Sequence, residues 1–143
     1  EAARRLGGAV GGHVRRRGYM PLVFTNPGME QLAGMFEQLC AAHGPVVRLP
    51  RLTLDQVGAV MEHCACIVTG DTSLMHLAFG LRRPTLVLFT HTRPEIVAPE
   101  DCPHAACFVE DPRSTDDCGQ APGTRAIPVG LVAEQFDRLV ASR

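Results

Sequence analysis

Leu32, Met35, Phe36, Leu39 and Cys40 recur at intervals of three and four residues, and that spacing predicts an amphipathic helix over Met29 to His43. Gly44 and Pro45 end it. The same rhythm predicts helices over Leu54 to His63, Ser73 to Leu81 and Leu131 to Ser142. Thr53 stands as the cap of the first of these, Leu54 to His63, with Asp55 in its first turn. A further helix over residues 2 to 17 is weakened by Gly7, Gly8, Gly11 and Gly12, and Gly18 is its stop. Between the helices lie short unbroken apolar runs, not alternating ones: Leu22 to Thr25, Val46 to Leu49, Cys64 to Thr69 and Thr85 to Phe89. Regularity fades from Thr90 to Pro128, where one short strand is expected at Ala106 to Val109.

Strands alternating with helices of this length imply βαβ units and a mostly parallel sheet. Continuous apolar strands imply helices on both faces. The expected architecture is therefore α/β, a Rossmann-like three-layer domain spanning residues 1–143. In such sheets ligands bind outside the carboxyl ends of the strands. The loops at Asn26 to Glu30, Pro50 to Thr53, Gly70 to Ser73 and Thr90 to Pro94 become candidates for a site.

Composition narrows the choice of ligand. The net charge is −1 and there is no Trp and one Tyr, so neither a phosphate-gripping basic surface nor a base-stacking platform is evident, and no nucleic-acid partner is expected. The Arg15, Arg16 and Arg17 run is read as a solvated last turn that complements the helix dipole. No apolar stretch approaches the ~18 residues of a membrane span. Glu1 to Arg5 shows no signal-peptide pattern, and the chain, opening mid-helix without Met, reads as a piece of a longer protein. Of six cysteines, Cys40, Cys64 and Cys66 lie in apolar text and read as small buried hydrophobes in a reducing compartment. Cys102, Cys107 and Cys118 with His104 have no tight Cys-x-x-Cys spacing, so no metal site is assigned.

The strand-to-helix junction at Gly70 concentrates polar groups. Gly70 favours a sharp bend. Asp71, Thr72 and Ser73 follow at a helix start, where N–H groups lack intrahelical partners and the dipole is positive. Such a start suits a phosphate. The Thr72 and Ser73 hydroxyls can donate to its oxygens. Asp71 repels phosphate but accepts from sugar hydroxyls, so the set suggests a ligand with both. His76 shares the face of Thr72 and Ser73. The competing reading makes the same residues ordinary caps, with His76 a buried histidine bonded to a carbonyl.

The run "GDTSLMHLAFGLRRPTLVLFTHTRPE" resembles the signature of glycosyltransferase family 9, the ADP-heptose:lipopolysaccharide heptosyltransferases and their relatives, at Asp71, Thr72, His76, Leu77, Ala78, Pro84, Thr92 and Pro94. "LPRLTLDQVGAVMEHC", "NPGMEQ" and "IPVGLVAEQFDRL" extend the resemblance over roughly residues 20 to 140. It departs from the family pattern at Ser73, in place of Gly, and at Thr90 and His91, in place of the Gly-Pro of Gly-Pro-Thr. The resemblance implies the C-terminal, nucleotide-sugar-binding half of a two-domain GT-B fold. It implies that Asp71 contacts the transferred sugar, that Thr72 and the following N–H groups hold the diphosphate, that Glu30 accepts from the ribose hydroxyls, and that Leu52 packs on the base. The donor expected by analogy is an ADP-sugar, with no other cofactor; no Asp-x-Asp metal motif appears. The partner is an N-terminal acceptor domain of the same protein, with a catalytic base and a phosphate-binding lysine outside this chain. Residues 1–143 alone are accordingly expected not to turn over. The implied location is cytoplasmic, peripheral at the inner face of a membrane. A non-catalytic sugar-nucleotide-binding or scaffold module is the alternative, and a sugar-nucleotide epimerase half or a cysteine-based metal module are more distant ones.

Overall fold

The computed structural model describes residues 2–89, 92–108 and 127–141. The chain forms two compact units, Glu1–Val57 and Gly58–Arg143. In the first, α1 (Ala2–Arg16) packs on α2 (Glu30–Ala41). The glycines of α1, weak points by sequence, include two that this packing requires. A Cβ on Gly7 would come within 2.6 Å of the Phe36 ring, and one on Gly11 within 2.8 Å of Cys40 Sγ and 3.3 Å of its Cα. Each glycine gives up about 1 kcal/mol of helix propensity. Close apposition around the buried Leu6, Ala33 and Cys40 offsets it.

Gly18 does end α1. It sits at φ 84°, its N–H donates to the Arg15 carbonyl at 2.9 Å, and the Tyr19 N–H donates to Val14 at 3.1 Å. That pair of bonds closes a helix on a left-handed residue.

β1 (Leu22–Val23) and β2 (Val47–Arg48) pair in parallel, Leu22 opposite Val47 and Val23 opposite Arg48. Both are shorter than the apolar runs predict. Past Val23 the Leu49 carbonyl accepts from the Thr25 hydroxyl at 2.9 Å, so a side chain takes the place a ladder N–H would occupy. α3 (Leu54–His63) has the predicted bounds.

The second unit holds β3 (Ile67–Gly70), α4 (Ser73–Gly80), β4 (Thr85–Phe89), α5 (Pro94–Val97), β5 (His104–Phe108) and α6 (Val129–Ala141). Its sheet runs β3-β4-β5, every pair parallel. β3 starts later than its apolar text because its partner does: the first ladder bond runs from the Ile67 N–H to the Pro84 carbonyl at 2.8 Å. Ahead of that point the Cys64 carbonyl accepts from Arg83 instead, at 2.8 Å.

β4 is the middle strand, and Thr85, Leu86, Val87 and Phe89 are all fully buried. That burial explains its unbroken apolar text. Met75 and Phe79 from α4 close over Val87, Phe89 and Cys102, with Val97, Ala98 and Ala106 at the margin. α6 packs on β4 and β5 and buries Val132, Phe136 and Leu139.

α5 is a single turn that the periodicity did not reveal. Its signal was Pro94 at the first helical position with Glu95 behind it. β5 begins at His104, two residues before the expected strand, because His104 pairs with Thr85. Val109, the expected end of that strand, lies outside the described residues. No helix among the described residues is long and apolar enough to cross a membrane.

Candidate functional site

α4 is amphipathic over barely two turns. Met75, Ala78 and Phe79 face the core and are buried, whereas Ser73, His76 and Gly80 are exposed. The i, i+3, i+4 spacing of the apolar set fixes which side faces out. Asp71 and Thr72, in the turn from β3, are exposed as well. The structure thus gathers Asp71, Thr72, Ser73 and His76 on one accessible helix opening. His76 is not the buried, carbonyl-bonded histidine of the competing reading.

The capping reading fails on geometry too. Thr72 occupies the N-cap position with extended backbone, φ −144° and ψ 169°, yet its side chain makes no bond to the helix. Only its carbonyl is used, accepting from the Met75 N–H at 3.0 Å. Its hydroxyl lies 3.2 Å from the Thr69 hydroxyl. The first-turn N–H groups therefore have no side-chain cap, at the positive end of the helix dipole. A diphosphate or another anion with several acceptor oxygens matches this chemistry. Gly70 contributes less than its sequence suggests: its φ is not in the left-handed region, and a Cβ there would meet only the Leu88 carbonyl, at 3.9 Å.

Glu30 and Leu52 belong to the first unit, on the loops that leave β1 and β2 side by side. The Thr25–Leu49 bond ties those loops together. Glu30 opens α2, and its Oε1 accepts from the Gly28 N–H at 3.3 Å. Gly28 stands at φ 77°, the one position in this turn where glycine is needed. A hydrogen bond from its own N–H holds the Glu30 carboxyl below its ordinary value. Desolvation partly opposes this, and the Gly28 N–H and the charges of Arg51 and Arg48 add to the lowering. Leu52 is half-buried, and Leu54 beyond it is 63% exposed. Neither Arg48 nor Arg51 is marked by a motif in the sequence. Arg48 is held by the Thr25 hydroxyl at 3.4 Å and by Glu37 at 3.5 Å. No motif marks Thr69 either; its signal is a hydroxyl three residues before Thr72.

Among the described residues no group of three or more His, Cys, Asp or Glu side chains is placed to hold a metal. Cys102 is buried with Sγ 3.8 Å from the Phe79 carbonyl. His104 sets Nδ1 2.8 Å from the Cys102 carbonyl and its ring edge-on to Phe79. The Cys107 side chain and Cys118 lie outside what is described, as do Thr90 and His91 of the fourth candidate loop. Burial pushes up the pKa of the Cys40, Cys64 and Cys102 thiols, which fits cysteine used as a small hydrophobe.

The sequence model of glycosyltransferase family 9 (heptosyltransferase) matches residues 9–116. No curated protein matches the chain. Among solved structures, the family 9 glycosyl transferase from Veillonella parvula DSM 2008 resembles it with a TM-score of 0.74 at 16% identity. The match covers 100% of this chain and 42% of that one, so the chain spans less than half the length of its structural neighbour. At that identity the likeness is one of fold.

Proposed function

Because the chain belongs to glycosyltransferase family 9, the heptosyltransferase family, we propose that it carries the donor-binding half of an inverting glycosyltransferase with a GT-B fold. The donor is a nucleotide diphosphate sugar, heptose-like and carried on ADP. The acceptor is a glycan or a lipopolysaccharide-type molecule, met on the cytoplasmic side of a membrane. In the reaction an acceptor hydroxyl attacks the anomeric carbon. The bond from that carbon to the diphosphate oxygen breaks with its electron pair, the hydroxyl proton passes to a base, and the nucleoside diphosphate leaves.

Negative charge grows on the leaving phosphates. The open Ser73 and Leu74 N–H groups of α4 and the Thr72 and Ser73 hydroxyls stabilise it, already oriented before the reaction. Asp71 accepts from hydroxyls of the sugar, and His76 lends a second donor on the same face. Glu30 and Leu52 keep the nucleoside-directed roles that the family resemblance implies, to the ribose hydroxyls and the base.

One observation carries this reading: within the family-matched segment, the start of α4 is exposed and its threonine leaves it uncapped. Calorimetric titration of the full-length protein with ADP- and UDP-sugars tests it. The ADP-sugar should bind more tightly than the UDP-sugar. Asp71→Asn should weaken nucleotide-sugar binding about tenfold or more while leaving ADP binding nearly unchanged, since its partner is the sugar. A folded protein that binds neither nucleotide would overturn the reading and favour a scaffold role.

A further inference from the structure

Thr72 has the position and backbone of an N-cap without the bond that defines one. Its hydroxyl is engaged elsewhere, 3.2 Å from Thr69 Oγ1. The Thr69 backbone is fixed: it lies in β3, opposite Val87 in the parallel ladder. α3 shows what a threonine does at the same position when nothing diverts it. There the Thr53 Oγ1 accepts from the Gln56 N–H at 3.4 Å, and the Gln56 Oε1 accepts from the Thr53 N–H at 3.0 Å.

A capping hydroxyl acts as an acceptor for an N–H group. A hydroxyl that serves an anion must be a donor. If Thr69 donates to Thr72 Oγ1, the Thr72 proton remains free to give, and the chain of two hydroxyls polarises it. We infer that Thr69 is a positioning residue of the donor site: it holds the Thr72 hydroxyl off the start of α4, leaving the Ser73 and Leu74 N–H groups open to the diphosphate and setting Thr72 as a second donor to it. This inference rests on the function proposed above and adds a residue that need not touch the ligand.

Thr69→Val removes the hydroxyl and keeps the shape, while Thr69→Ser keeps the hydroxyl. ADP affinity by calorimetry and hydrogen exchange of the peptide spanning residues 70–80 are measured on the full-length protein. Thr69→Val should lower ADP affinity about three- to tenfold and slow exchange at the Leu74 amide, as the released Thr72 closes over the helix. Thr69→Ser should leave both near wild type. In a Thr72→Val background, Thr69→Val should add no further loss, because the two act as one unit. Unchanged ADP affinity in Thr69→Val, with the wild type binding normally, overturns this inference alone. Equal losses in the Val and Ser variants also overturn it, since serine retains the bond. A wild type that binds no nucleotide overturns both this inference and the reading it rests on.

Discussion

α3 and α4 both begin on threonine, and only one of them is capped. At α3 the residue three positions on is Gln56, which reaches back to complete a reciprocal pair with Thr53. At α4 the corresponding residue is Met75, which is fully buried. A side chain committed to the core cannot return to the helix start, and the threonine hydroxyl is drawn to Thr69 instead. The same residue type at the same position thus closes one helix and leaves the other open. α2 differs again: its first residue, Glu30, reaches back to the Gly28 N–H. The openness of a helix start is decided by the third helical residue as much as by the cap.

The largest expected effect comes from removing what permits the difference. Met75→Ala should cost about 2–5 kcal/mol in denaturant unfolding, as expected when a fully buried side chain is truncated. A loss under 1 kcal/mol would show that α4 is not anchored as described. Next comes the direct contrast between the two threonines. Thr53→Ala should cost about 1 kcal/mol, whereas Thr72→Ala, removing a hydroxyl that caps nothing, should cost less than about half that. Equal costs in thermal unfolding would erase the distinction.

The smallest effect concerns Glu30. Its carboxyl pKa is lowered in the folded state. Its contribution to stability is therefore present above the ordinary carboxylate value and is lost as pH falls through the lower folded one. Comparing acid unfolding of the wild type and Glu30→Gln should show this limb flattened in the variant. The change should be slight, because the group is exposed to solvent. A variant that differed from wild type only above neutral pH would contradict the assignment.

Much of the α/β pattern was legible because single elements decide it locally. α3, α4 and β4 are bounded by a threonine, a glycine or a proline that says where each begins or ends. The accessible face of α4 followed from Met75, Ala78 and Phe79 alone. Features that depend on a partner in space were not legible. Gly7 and Gly11 read as flaws until Phe36 and Cys40 lie against them. Cys64 and Cys66 read as strand, but β3 waits for a neighbour that starts only after Pro84.

Arg82 gave no local sign of a left-handed conformation. It sits at φ 52°, where Gly18 serves at the end of α1, and there Asp101 holds its guanidinium at 2.8 Å. At the candidate site, sequence supplied Asp71, Thr72, Ser73 and His76. It could not show whether the threonine was occupied, because that turns on a hydroxyl in the preceding strand.

α4 is only eight residues long, well below the length at which a helix holds together unaided in water. Its opening amides keep their aim only while Phe79 and its neighbours stay packed behind them. Substitutions deep in that greasy layer should therefore register first as weakened affinity, well before the protein melts. The residues most exposed to selection for ligand recognition would then include several that never meet a ligand.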